Sequence, residues 1–356
     1  MSFSLATLQA AARTVHAVMP ATPQYRWPLL EAAFSNRPGD GTQLWLKHEN
    51  HTPVGAFKIR GGLVYFSQLA AAGALPVGVV SATRGNHGQS IAFAASRHGV
   101  AVLIVVPHGN SREKNAAMRA LGAELIEFGD DFQAAREHAY TLAHQRGWHL
   151  VPSFHPDLVA GVASYALELF DAAPGLHTVY VPIGLGSGAC GLIAARDALG
   201  LATQIVGVVS TGAPAYALSL AQGCAVSAAV TTQLADGMAC RTPEPGALAM
   251  LQRGLARLVA VSDAEVAAAM GQLFETTHQV AEGAGAAALA AAWAERALLA
   301  GQRTALVLSG GNVDRDVFAG VLSGELFNAV ASVALTDAGP ALTATLATPL
   351  TLHTAR

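Results

Sequence analysis

Lysine is scarce in this chain. Of 356 residues 21 are basic, yet only three, Lys47, Lys58 and Lys114, are lysines. Any chemistry that needs an amine nucleophile therefore has three candidates. Cysteine is as rare. Cys190, Cys224 and Cys240 are odd in number and show no CxxC spacing, which argues against a disulfide framework or a zinc site. Charge is sparse at 13% against 52% apolar residues, which excludes a disordered solvating chain and implies a sizeable core. The 21 basic and 24 acidic residues are scattered and leave a net charge of −3, so no nucleic-acid partner is expected. No stretch of about 20 uncharged apolar residues runs without Gly or Pro, so no membrane span is expected. The N-terminus lacks a basic region and a long apolar core, so no signal peptide is expected either. None of the 13 histidines falls in an HExxH-like spacing, and no metal site is expected. These exclusions leave a soluble, cytoplasmic α/β protein.

The apolar surplus is largely alanine, accompanied by 36 glycines, a composition suited to helices packed closely on a sheet. Short apolar runs alternate with helical stretches, as a parallel sheet with crossover helices requires. The predicted strands are Val77–Ser81, Ala101–Val106, Glu124–Phe128, Thr178–Ile183, Gln204–Val209, Leu258–Val261 and Thr304–Leu308. Helices are predicted near 87–98, 112–121, 131–146, 157–172, 188–199, 263–278 and 284–299. Asn110 or Ser111 and Asp130 serve as caps, and the helix to 278 begins at Ser262 or Asp263. Residues 210–256 read as a loop-rich stretch. The strand count and the connection at 148–156 predict two lobes, each a mostly parallel twisted sheet flanked by helices. The expected division is an N-terminal segment 1–53 joining the large lobe, a small lobe 54–151, a large lobe 152–328, and a partly disordered tail 329–356.

Four segments carry chemistry. The first is Gly184-Leu185-Gly186-Ser187-Gly188, which joins a strand to a helix. Such a turn points backbone N–H groups into one concavity at the positive end of a helix, which suits a phosphate. Gly186, Gly188 and Gly191 also satisfy GxGxxG. The dinucleotide reading, however, wants an acidic residue after the next strand, and that strand ends Val208-Val209-Ser210. The second is Gly55-Ala56-Phe57-Lys58-Ile59, where apolar neighbours would desolvate the lysine and favour the neutral amine that attacks an aldehyde. The alternative is a surface lysine at a helix start. The third, Thr83-Arg84-Gly85-Asn86-His87, opens a helix after a strand and reads as a small-carboxylate site or as an ordinary N-cap. In the fourth, Ser309-Gly310-Gly311-Asn312, a serine hydroxyl on a glycine turn could meet a ring nitrogen of a bound cofactor.

In this order GAFKIRGG, TRGNHGQS, GLGSG and LSGGNVD resemble the fold-type II (tryptophan synthase β-like) pyridoxal-phosphate enzymes. The likeness is nearest to the serine/threonine dehydratases and serine racemases. It covers most of 20–325, including LADGMA (234–239) and EGAGA (282–286). The resemblance implies pyridoxal 5'-phosphate bound covalently by Lys58, with Phe57 beside the ring and Asn86 on the ring hydroxyl. Gly184, Leu185, Gly186, Ser187 and Gly188 would hold the phosphate, and Ser309 would face the pyridine nitrogen. Thr83, Arg84, Gly85 and His87 would receive the substrate. The implied activity is an ammonia-lyase (dehydratase) that converts a β-hydroxy amino acid, threonine- or serine-like or a more polar or bulkier analogue, to a 2-oxo acid and ammonia. A homodimer is implied as well.

Three positions depart from the family pattern. Leu185 and Ser187 replace two glycines of the phosphate loop. Arg84 stands where racemases carry the serine that works on the opposite face of Cα, and a permanently protonated arginine is a poor reversible base. It would instead clamp the substrate carboxylate or a second polar group, or point away to solvent or into an ion pair. Val209 stands where several relatives carry a metal-binding glutamate. The tail is too short for an amino-acid-sensing domain, which points to a catabolic role. The competing readings are a cysteine-synthase-like β-replacement enzyme, a racemase, and a ligand-binding protein without catalysis.

Overall fold

The computed structural model describes residues 1–35 and 41–326, and the expected tail lies outside them. Among the described residues, ten strands form two sheets. The larger contains β1 (Gln24–Arg26), β2 (Gln43–His48), β7 (Thr178–Pro182), β8 (Gln204–Ser210), β9 (Arg257–Val261) and β10 (Arg303–Leu308), ordered β1-β2-β10-β7-β8-β9. The smaller contains β3 (Gly78–Ala82), β4 (Ala101–Val106), β5 (Glu124–Glu127) and β6 (His149–Leu150), ordered β5-β4-β3-β6. Every pairing is parallel except β1 with β2. The interior strands read accordingly. β4 is Ala-Val-Leu-Ile-Val-Val, buried from its second residue onward because helices cover both faces.

The helices are α1 (Leu5–His16), α2 (Pro28–Phe34), α3 (Ile59–Ala71), α4 (Asn86–Ser96), α5 (Arg112–Ala120), α6 (Phe132–Arg146) and α7 (Pro156–Ala172). They continue with α8 (Ser187–Ala198), α9 (Ala215–Gln222), α10 (Pro245–Gly254), α11 (Asp263–Thr277), α12 (Gly283–Ala294) and α13 (Arg315–Ser323). Ser111 caps α5, and Ser262 and Glu265 form a reciprocal capping box on α11. Asp131, rather than Asp130, caps α6 by accepting from the Ala134 N–H at 2.8 Å. The stretch 210–256 is less irregular than its Pro and Gly content suggests. It holds α9 and α10, because Pro214 is the residue that precedes α9 and Pro245 occupies the first turn of α10, where no amide donor is needed. The N-terminal segment, for which no elements were predicted, supplies α1, β1, α2 and β2. Lys47 of β2 lies beside Val307 of β10, so this segment extends the larger sheet.

A buried ion cluster joins β2, α3 and α7. Arg60, fully buried, donates to both Glu49 oxygens (2.7 and 3.0 Å), both Glu168 oxygens (2.6 and 2.9 Å), Ser164 Oγ (2.8 Å) and Thr22 Oγ1 (3.1 Å). Lys47 Nζ donates to Glu168 (2.6 Å), the Thr22 carbonyl (2.7 Å) and Gln24 (3.1 Å). Burial opposes ionisation of Glu168, but the Arg60 guanidinium outweighs it and pulls the pKa down to about 2. Two cations and two carboxylates thus balance inside the protein. Removing one member would leave charges buried without partners, so Arg60→Ala is expected to cost about 3–5 kcal/mol of stability. The urea midpoints of the two proteins check this.

Candidate active site

The three lysines have three different surroundings. Lys47 is held in the cluster above. Lys114 Nζ donates to Asp236 Oδ2 at 2.7 Å and lies 2.9 Å from Glu282 Oε2. Burial would lower its pKa, but the two carboxylates outweigh burial and raise it, so it stays an ammonium. Lys58 differs. Its Nζ lies 3.3 Å from Ser187 Oγ and 5.3 Å from the centroid of the Phe57 ring. Among the described residues it has no ion pair. Burial without a counter-charge pushes its pKa down to about 8, near enough to neutrality for the free amine to be populated.

Lys58 immediately precedes α3 and lines a cavity of about 500 Å³. The wall includes the C-terminal ends of β3 and β7, the loops beyond them and Ser309 just past β10, where ligands bind in open α/β sheets. Phe57, Thr83, Arg84, Gly85, Asn86, His87, Gly184–Gly188 and Ser309 all line it, so every site residue expected from the sequence is brought to one space.

Beside Lys58 runs the glycine turn. Gly186 precedes α8 with φ +100°, a conformation L side chains resist, and a Cβ there would sit 2.8 Å from that of Ala247. At Gly184 a Cβ would fall 2.2 Å from the Gly237 carbonyl oxygen. The Leu185 carbonyl accepts from Tyr216 at 3.0 Å, which anchors the turn from outside. The first-turn N–H groups of α8 have no acceptor within the helix, and Gly186, Ser187 and Gly188 line the cavity, which makes this turn an anion cradle. The Phe57 ring lies against Gly188 and meets Tyr165 edge-on at 6.3 Å.

The other two segments are stitched to the lysine loop. The Phe57 N–H donates to the Ser309 carbonyl at 3.0 Å, and Gly311 N–H to the Gly55 carbonyl at 2.9 Å. Asn312 Nδ2 reaches both the Val54 carbonyl (2.8 Å) and Asn86 Oδ1 (2.9 Å). Asn86 Nδ2 in turn donates to Glu282 Oε1 at 2.6 Å. Burial raises the Glu282 pKa, with Lys114 opposing it. Thr83 Oγ1 accepts from the N–H groups of Gly85 (2.9 Å) and Gly88 (3.3 Å), so it braces the start of α4. His87 is buried with Nε2 unbonded, and burial followed by the charge of Lys58 drives its pKa down to about 3, leaving a neutral ring. Arg84 Nε is buried and unbonded too. Among the described residues, no cluster of three His, Cys, Asp or Glu could hold a metal ion.

Lys114, Asp236, Glu282 and Asn312 escape sequence reasoning as site residues. The last three lie within segments singled out by the resemblance, but their contacts span 122 to 258 residues and no local pattern announces them.

A poised amine opposite a helix-borne anion cradle is the site of an enzyme that works through an aldehyde cofactor carrying a phosphate. The family described as "Pyridoxal-phosphate dependent enzyme" matches residues 21–310, and the chain belongs to it. The L-threonine ammonia-lyase of Geobacter sulfurreducens is 35% identical over 275 residues, covering 77% of this chain and 68% of that relative. Among solved structures, the T.th. threonine deaminase superposes with a TM-score of 0.78 at 32% identity, covering 88% of this chain and 99% of that one. The processed threonine deaminase isoform 2 of Solanum lycopersicum gives 0.80 at 26%, covering 90% and 94%. The two-lobed α/β architecture is that of fold-type II, and the enzyme is a pyridoxal-phosphate-dependent lyase.

The residues present fit that cofactor. Its aldehyde needs a neutral amine, its phosphate a set of N–H donors, and its ring an apolar neighbour, and Lys58, α8 and Phe57 supply these within one cavity. Because the neutral amine is the nucleophile and its pKa is lowered, capture of pyridoxal 5'-phosphate by the apoprotein should accelerate as pH rises through about 8. Stopped-flow absorbance between pH 6 and 11 checks this. A midpoint at the ordinary lysine value of about 10.4 would contradict it.

Proposed function

We propose that the protein is an ammonia-lyase that removes water from a β-hydroxy amino acid and releases a 2-oxo acid and ammonia. The observation that carries this reading is the uncompensated Lys58 amine facing the cradle at α8. When bound, pyridoxal phosphate supplies a conjugated ring that accepts negative charge from the substrate Cα. The protein's own groups do the rest.

In this reading Gly184, Leu185, Gly186, Ser187 and Gly188 hold the phosphate through backbone donors, and the Ser187 hydroxyl adds another. Phe57 packs beside the ring, Asn86 bonds the ring hydroxyl, and Ser309 offers the ring nitrogen a neutral hydroxyl. The substrate carboxylate sits at the start of α4, where first-turn N–H groups have no helical acceptor and Thr83 braces the loop. Lys58 Nζ takes the Cα proton, a task suited to a base with a pKa of about 8. The Cβ–O bond then breaks, the proton taken from Cα is returned to the departing hydroxyl, and water leaves. The enamine released to solvent takes up water and yields the 2-oxo acid and ammonia, so the reaction is redox-neutral.

Glu282 and Lys114 act as positioning residues, fixing Asn86 from behind. Of the described residues, those within 54–151 make up the small lobe and those within 152–328 the large one, which the described part of the N-terminal segment 1–53 joins. The protein is cytoplasmic, which the free state of all three cysteines supports, and no helix among the described residues is long and apolar enough to cross a membrane. A homodimer follows from the family resemblance.

A panel of L- and D-3-hydroxy amino acids, assayed for ammonia and 2-oxo acid without added thiol, tests the activity. Stoichiometric release of both is expected from wild type and none from Lys58→Ala. Turnover that requires a thiol would instead mark a β-replacement enzyme.

A further inference from the structure

Resting on the lyase reading, the cavity says something about the substrate's side chain. Its wall carries three carboxylates, and all are committed. Asp131 pairs with Arg241 at 3.0 Å, while Asp236 and Glu282 pair with Lys114. Of the cations, Lys58 is reserved for the cofactor, and Arg136 lies over the Tyr140 ring at 5.9 Å. Arg84 remains. It has no ion pair among the described residues, and its Nε is buried without a hydrogen-bond partner.

Arg84 lines the cavity without an acid partner among the described residues and carries an unmet buried donor, an incomplete site, since an unsatisfied buried donor costs free energy until something accepts from it. The α-carboxylate already has a place at the start of α4. An amino acid with one carboxylate would therefore leave either that helix end or Arg84 unanswered. We propose that Arg84 receives a second carboxylate, borne by the substrate side chain, so that the preferred substrate is a 2-amino-3-hydroxy dicarboxylic acid. The planar fork of arginine matches a carboxylate through two parallel N–H···O bonds.

The chemistry is unchanged by this assignment. The Cα–H and Cβ–O bonds break, water leaves, water is regained on hydrolysis, and the products are ammonia and a 2-oxo dicarboxylic acid. The second carboxylate takes no part in bond making. It holds the β-carbon in place.

The holoenzyme should be assayed with the stereoisomers of 3-hydroxyaspartate, the smallest such acid, and with serine and threonine. Wild type is expected to prefer one 3-hydroxyaspartate isomer over threonine by at least about tenfold in kcat/KM. In Arg84→Gln that preference ratio should fall by about a hundredfold, the loss expected when one partner of a buried charge pair is truncated. If Arg84 instead holds the α-carboxylate, activity on both substrates falls together, the ratio stays put, and the assignment is overturned. Binding gives a readout free of catalysis. Wild type should bind succinate about tenfold more tightly than butyrate, and Arg84→Gln should bind them alike. Equal wild-type affinities, or a wild-type preference for threonine, overturn the assignment without any variant. The two proposals fail separately. Absence of ammonia release from every hydroxy amino acid sinks the lyase reading, whereas release from threonine with an unmoved ratio sinks only this one.

Discussion

An amine can add to an aldehyde only if no carboxylate holds its proton, and this protein has to bury such an amine while keeping acids away from it. In the folded chain the acids of the cavity wall and of the Arg60 cluster all have other partners. Glu49 and Glu168 are both claimed by Arg60, which follows Lys58 by two residues, and Glu168 also by Lys47. Asp236 and Glu282 are claimed by Lys114. Lys58 is left with a hydroxyl and an aromatic ring for company. Burial without a counter-charge is what lowers its pKa. The same side chain beside any one of those acids, freed of its partner, would revert to a firmly held ammonium.

The Arg60 cluster also does mechanical work. Buried ion pairs contribute little net stability compared with apolar packing, because desolvation offsets the Coulombic gain. What the cluster supplies is position. Its members come from the N-terminal segment, from α3 and from α7, so the loop that presents Lys58 is tied to both the sheet and a crossover helix. On the opposite side the Phe57 N–H is held by Ser309 and the Gly55 carbonyl by Gly311. The lysine is therefore gripped on both sides by bonds that leave its own amine untouched.

Much of this was readable from the chain because local chemistry announces it. A glycine-dense turn between a strand and a helix has few uses, and three lysines make a short list. The parallel strands declare themselves as β-branched runs, and Ser111 and Ser262 mark helix starts in the ordinary way. What stayed hidden depends on partners far along the chain. Lys114 reads only as one of three candidate amines until folding sets it against Asp236 and Glu282. The short strand β1 has three residues and no alternation to speak of, and it exists because β2 offers it an edge. α9 and α10 were obscured by prolines that signal helix entry as readily as they signal a loop.

Arg84 joins these threads. A site that holds a buried hydrogen-bond donor discriminates strongly against a ligand that lacks the matching acceptor, because binding such a ligand strands the donor, whereas apolar pockets discriminate weakly among ligands of similar size. The cavity keeps every acid neutralised and one arginine unanswered, so its selectivity rests on charge rather than on shape. The same logic governs Lys58 and Arg84. Lys58 is left without an acid so that an aldehyde can take its amine. Arg84 is left without one so that the acid it meets must come with the substrate.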